Sequence, residues 1–251
     1  EVIRMFHKAL EAGGFLSRNI PRSCRGNCLI SSNNWCRTVR FIERLVTDMK
    51  VTVLKGNNNV YSSNAYIVTG DWKRIEDVNT LIDVGSDPSV IDSIQEIATG
   101  IGKSKVEQVV FTHDHSDHTL ILPLIRQIFN PVVYAFSPFM DGVDHVLKNG
   151  QTLRIGDRNF EVIHIPGHSD DSISLYGEED GVLFLGDAPI PVRFPGGTYE
   201  PGFVHALKIL CRKNIRIIYP GHGEPINHDA YDQVKSSLGI VLQSNIGEDG
   251  F

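Results

Sequence analysis

Three histidines and two aspartates fall within six residues, in His113-Asp114-His115-Ser116-Asp117-His118. Imidazole nitrogens and carboxylate oxygens are ligands that zinc accepts, and iron and manganese accept them too. Packing gives no reason to crowd five such groups together. Near neutral pH they need a cation or many hydrogen bonds. Three further ligand-type residues follow apolar runs downstream. They are His168 in Ile165-Pro-Gly-His, Asp187 in Leu185-Gly-Asp, and His222 in Tyr219-Pro-Gly-His-Gly-Glu-Pro225. No thiolate is among them. Side chains presented by several strand ends can converge at one edge of a sheet, where sites on rigid scaffolds are usually built.

The elements that must position them can be read from the apolar pattern. Val51–Leu54 and Tyr66–Val68 read as strands, joined by a polar loop over 55–64, and Thr80–Ile82 reads as a buried strand running into Asp83. A helix is expected from Asp87, a capping residue followed by Pro88, to a stop at Gly100. Its inward stripe is Val90, Ile91, Ile94, Ile97 and Ala98. The β-branched run Val106–Phe111 delivers the chain to His113. A helix over 119–128 and a strand over 132–136 follow. Strands are then expected over 160–165, 173–176, 182–185 and 215–219, with helices over 203–210 and after His228. Strands interleaved with helices predict a layered α/β fold. Residues 1–48 read as a separate helical N-terminal extension, helix–loop–helix, and 49–251 as the catalytic domain.

Composition narrows the function classes. With 251 residues, 41% of them hydrophobic, the chain has ample material for a core, which excludes a disordered tail and a disulfide-stapled miniprotein. No apolar run approaches the roughly 18 residues of a membrane span, so no membrane partner is expected. The net charge of −6 argues against a nonspecific nucleic-acid binder. The excess of basic residues lies in the first fifty, so a partner-binding role for that segment stays open. Cys24, Cys28 and Cys36 match no common metal spacing; reduced thiols in a cytoplasmic protein are expected, with a disulfide or a further metal site as alternatives.

The sequence His113-x-His115-x-Asp117-His118 resembles the metal-binding signature of the metallo-β-lactamase superfamily. His168, Asp187 and His222 recur in that family's order, and Asp83 in Ile82-Asp-Val-Gly85 resembles its upstream aspartate. The resemblance implies an αββα sandwich with a site for two zinc ions, or iron or manganese. It implies that His113, His115 and His168 hold the first ion, that Asp117, His118 and His222 hold the second, and that Asp187 bridges them. It also implies a hydroxide between the ions as nucleophile, oriented by Asp117, with Asp83 supporting the ligands from behind; Asp114, lying between two of the histidines, reads as a group that holds the loop. Having Asp187 where the best-known β-lactamases have cysteine disfavours β-lactam hydrolysis. Residues 160–187 look like the glyoxalase II-like and lactonase-like branches. Only 29 residues follow His222, which speaks against a glutathione thioester in particular.

The resulting expectation is a hydrolase of a small ester, thioester or lactone. A phosphodiesterase or nuclease, and an iron-dependent dioxygenase like the persulfide dioxygenases, are the alternatives. A sensor or assembly module using residues 1–50 is the reading of a different class. Lys55 and Tyr61, on the loop joining the first strands, are candidate substrate contacts. So are Arg193 and Phe194, on the loop after Asp187, and Tyr199 is a candidate for a developing oxyanion. His164, His145 and His205 read as structural or surface residues. The partner is a small-molecule substrate; a homodimer is compatible with the sequence.

Overall fold

The computed structural model describes residues 49–54, 60–70, 76–100 and 102–246. The extension expected over 1–48, with its three cysteines, and Lys55 lie outside the described residues. Two sheets pair face to face. The first has the order β1 (Lys50–Leu54), β2 (Ala65–Thr69), β3 (Thr80–Ile82), β4 (Gln108–Val110), β5 (Val132–Ala135), β6 (His145–Val146). β1, β2 and β3 pair antiparallel, and β3 to β6 pair parallel. The second sheet runs β11 (Ile217–Pro220), β10 (Val182–Gly186), β9 (Ile173–Gly177), β8 (Arg158–His164), β7 (Thr152–Ile155). It is antiparallel except for the β10–β11 pair.

The strands are apolar on both faces because each sheet is covered on both sides. Along β10, Val182 and Phe184 face the other sheet, and Leu183 and Leu185 face outward. Along β2, Tyr66 and Val68 face inward and Ile67 outward. A central core between the sheets therefore joins Tyr66, Val68, Ile82 and Val110 to Phe160, Val162, Leu175 and Phe184. Helices α1 (Val90–Glu96) and α3 (Leu122–Phe129) cover the first sheet with Val90, Ile94, Leu122 and Ile125. Helices α4 (Pro201–Leu210) and α5 (Ala230–Ile246) cover the second through Phe203, Leu207, Val234 and Val241. This is the expected αββα sandwich. Each fully buried side chain of this size is worth about 1.5–3 kcal/mol, so the three cores hold the frame with little help from the polar edge.

Several boundaries differ from the sequence reading. α1 begins after Ser89 and ends at Glu96, not at Gly100. Asp87 Oδ1 instead accepts the Ser89 N–H at 2.9 Å and closes the preceding turn. Ile97 leaves the helix in an extended conformation, and its carbonyl accepts the Lys105 ammonium. The helix expected over 119–128 is two helices, α2 (Ser116–Thr119) and α3. Pro123 supplies no N–H and starts α3, while the Ile121 N–H turns to the Gly85 carbonyl at 3.3 Å. Asn130, left-handed at φ 49°, ends α3. β6 and β7 were not expected: the first has two residues, and the second carries Arg154 between its apolar positions.

Candidate metal centre

The ligand-type residues do meet at one edge of the sandwich. β3 leads to Asp83, β4 to His113–His118, β8 to His168, β10 to Asp187 and β11 to His222. Main-chain hydrogen bonds tie these loops together. Ile173 N–H donates to the Thr112 carbonyl at 2.8 Å, linking the two sheets beside His113. Gly221 N–H donates to the Gly186 carbonyl at 2.8 Å, linking the loops of Asp187 and His222. Ser63 N–H donates to the Asp117 carbonyl at 3.0 Å and Asn64 N–H to the Gly221 carbonyl at 2.7 Å. The Asn64 amide nitrogen reaches the Pro220 and Gly223 carbonyls at 3.0 and 2.8 Å.

Two glycines allow the close approach. Gly186 is left-handed at φ 61°, and a Cβ there would lie 2.8 Å from the Thr112 Cβ. The β10–β11 register shifts at this point, which swings Asp187 over the site. At Gly221 a Cβ would meet Asp187 and His118 directly.

The side chains form two groups. His113, His115 and His168 bring one ring nitrogen each together. His115 Nδ1 lies 3.1 Å from His113 Nε2 and 2.9 Å from His168 Nε2. Asp117, His118, Asp187 and His222 form the second group. His222 Nε2 lies 3.0 Å from Asp117 Oδ2 and 3.4 Å from Asp187 Oδ2. Asp187 reaches both groups, with Oδ1 3.3 Å from His118 Nε2 and Oδ2 3.6 Å from His168 Nε2.

These residues fit a cation. His118 Nε2 and Asp187 Oδ1 are buried and face each other, yet neither has an aligned hydrogen-bond partner. Buried polar atoms are seldom left so. Burial and the nearby His118 hold the His113 imidazole down at about 4, so it is neutral at pH 7, the form that can ligate a cation. Burial likewise lowers His168. Burial works against a charged His118, but the Asp83 and Asp187 carboxylates outweigh it and raise the ring to about 10. Burial works against a charged Asp187 too, and the close approach and charge of His118, with the charges of His222 and His113, bring it down to about 2. The positive charge between these carboxylates stands where an ion would bind.

Asp83 sits behind the cluster. It is buried, and it accepts hydrogen bonds from the Thr112 N–H, the Thr112 hydroxyl and His118 Nδ1, each at 2.8 Å. Asp114 differs. It is exposed and makes no hydrogen bond among the described residues, and partial burial followed by the charges of Asp171 and Asp141 raises its carboxyl. The Tyr61 ring, 78% exposed, stacks on His222 at 5.4 Å between centroids and 20° between planes. Tyr199 stacks on Phe203 and packs against the outer core. Arg193 and Phe194 are exposed, with no hydrogen bond, ion pair or ring contact among the described residues. His164 stacks on Phe136 and bonds the Asp170 carbonyl at 2.7 Å, a structural role. His145 and His205 are exposed. Sequence reasoning missed Thr112, Ser63 and Asn64. Thr112 had one signal, its place between a strand end and His113.

The fold and the edge site together make a candidate metal centre, two His/Asp groups on an αββα scaffold. Residues 58–222 match the metallo-beta-lactamase superfamily, and the chain belongs to that family. It is 27% identical over 192 residues to an atrochrysone carboxyl ACP thioesterase of Aspergillus novofumigatus, covering 75% of this chain and 57% of that one. It is 32% identical over 146 residues to a probable hydroxyacylglutathione hydrolase of Schizosaccharomyces pombe, covering 54% of this chain and 57% of that one. The chain thus spans little more than half the length of these curated relatives. A metallo-beta-lactamase family protein from Thermus thermophilus shares the fold, with a TM-score of 0.58 at 19% identity over 79% of this chain and 81% of that one. No helix among the described residues is long and apolar enough to cross a membrane.

Proposed function

We propose that this chain is a metal-dependent hydrolase of small acyl thioesters. The observation that carries the proposal is the position of Asp187, within 3.3–3.6 Å of ligand atoms in both groups. That placement suits two zinc ions, with His113, His115 and His168 holding one, Asp117, His118 and His222 the other, and Asp187 shared. Ions held there supply an activated water at neutral pH and polarise an acyl carbonyl.

The rest of the work falls to the chain. Asp83 and the burial of His113 and His118 keep their ring nitrogens aimed into the site. Asp117, whose Oδ2 also faces His222, is placed to orient an attacking water. The Tyr61 ring beside His222 forms a wall for the acyl group.

Two considerations favour a thioester among acyl substrates. Two of the curated relatives are named a carboxyl ACP thioesterase and a probable hydroxyacylglutathione hydrolase. A thiolate also leaves without a proton, since its pKa of about 8.5 is low, so a thioester needs no general acid from the chain. The acidic residues Asp114, Asp141 and Asp171 next to the metal loop weigh against a nucleic-acid substrate.

The test is hydrolysis of a panel of acyl thioesters, a lactone, a phosphodiester and a β-lactam by zinc-loaded protein. The proposal expects thioesters to be cleaved best. Cleavage of the phosphodiester alone would replace it with the phosphodiesterase reading.

A further inference from the structure

We infer that one oxygen of Asp83 sets the ring tautomer of a histidine in each ligand group, reaching the first group through the Thr112 hydroxyl, which makes Thr112 a positioning residue. The inference rests on the two groups being metal ligands.

Counting hydrogens settles the direction of each bond. Asp83 Oδ2, as a carboxylate, only accepts. It lies 2.8 Å from His118 Nδ1, so that nitrogen carries a hydrogen and Nε2 is the nitrogen turned toward an ion, giving up its own proton when one binds. The same Oδ2 lies 2.8 Å from Thr112 Oγ1. A hydroxyl has one hydrogen, and Thr112 spends it on Asp83. Toward His113 Nδ1, 3.1 Å away, Thr112 Oγ1 is then an acceptor. His113 therefore carries its hydrogen on Nδ1, and Nε2 is free to face His115 and His168. Fixing the tautomer of a metal-bound histidine through its other nitrogen is a general device. Here a single carboxylate serves both groups.

The backbone is bent to aim that carboxylate. Asp83 is left-handed at φ 53°, rare for a residue with a side chain. The conformation is held by its N–H to the Val110 carbonyl at 3.0 Å. The next two amides, of Val84 and Gly85, both donate to the His118 carbonyl, at 2.9 and 3.0 Å. Asp83 Oδ1 meanwhile takes the Thr112 N–H, so the carboxylate cannot rotate away.

The two residues should then have different reach. Thr112→Val keeps the shape and the N–H bond but removes the relay to His113 alone. Asp83→Asn disturbs both groups. Zinc stoichiometry and affinity are read by chelator competition on the full chain, for wild type, Thr112→Val, Thr112→Ser and Asp83→Asn. Wild type should take two ions. Thr112→Val should hold one as tightly as wild type and the other about 10–100-fold more weakly. Thr112→Ser should restore it, and Asp83→Asn should weaken both. Equal weakening of both ions in Thr112→Val, or no weakening, or no rescue by serine, overturns the inference. Wild type that binds no zinc would sink the metal reading itself, a distinct result.

Discussion

The α-carbon of Gly221 stands against the carboxylate of Asp187, so that a methyl group on it would lie 1.9 Å from Asp187 Oδ1 and 2.8 Å from His118 Cε1. Glycine is required there by contact, not by backbone conformation. Gly221→Ala should displace Asp187, weaken the hold on both ions and cost the site most of its hydrolysis. The cores lie away from that edge, so circular dichroism and the melting temperature should change little. Wild-type metal content in Gly221→Ala would show that the loops yield more than this packing suggests.

Asp187 is the carboxylate that reaches both groups, and replacing it should be felt in both. Asp187→Ala is expected to lower affinity for both ions, by about 10–100-fold or more, and hydrolysis with it. Chelator competition and elemental analysis of the same sample measure it. Retention of two tightly held ions would rule out the shared position.

The Tyr61 ring stacks on His222 while its backbone is anchored, since Ser86 Oγ donates to the Tyr61 carbonyl at 2.5 Å and Ser86 N–H donates to Ser62 Oγ at 2.9 Å. An exposed ring on a held backbone is suited to binding, not to chemistry. Tyr61→Ala should raise KM for bulky acyl thioesters about 2–10-fold, matching the ~0.5–1.5 kcal/mol of an aromatic contact. The kcat should hold, and an acetyl thioester should be little affected. Tyr61→Phe should behave as wild type. An equal change for acetyl and bulky substrates would remove Tyr61 from the acyl wall.

Parts of this site were legible in the sequence because their geometry is local. His113, His115 and His118 sit on one turn, so spacing alone puts them together. His168, Asp187 and His222 were legible through their place after strand-like runs and through family resemblance. Thr112, Asn64 and Gly221 act across large separations, Asn64 on Gly223 and Gly221 on Asp187. Spacing cannot report such contacts, because they depend on how strands pair within a sheet and how the two sheets meet. The break between α2 and α3 was hidden for a similar reason, since the Ile121 N–H finds its partner at Gly85 on another loop. Tyr199, expected on a loop near the site, has its ring stacked on Phe203 and packed against the outer core, another contact that spacing does not report.

Asp144 joins α3 to the sheet edge, accepting Arg126 Nη2 at 2.7 Å and the Val133 N–H at 2.8 Å. The Arg126 bond, then that of Val133, holds its carboxyl below the ordinary value. A depressed folded-state pKa gives stability that is present above the unfolded value of about 3.9 and is lost as pH falls through the lower folded one. Wild type should therefore melt slightly above Asp144→Asn at pH 7, and the gap should close below about pH 4. The gap should be small, because the pair is exposed and screened. A gap that widens in acid would contradict the assignment.

The most direct test of the account is a metal titration of thioester hydrolysis. Protein stripped by a chelator and titrated with zinc should regain hydrolysis, reaching a plateau near two equivalents per chain. Full hydrolysis by the stripped protein would contradict the account. So would a plateau at one equivalent of iron with oxygen consumed and no thioester cleaved.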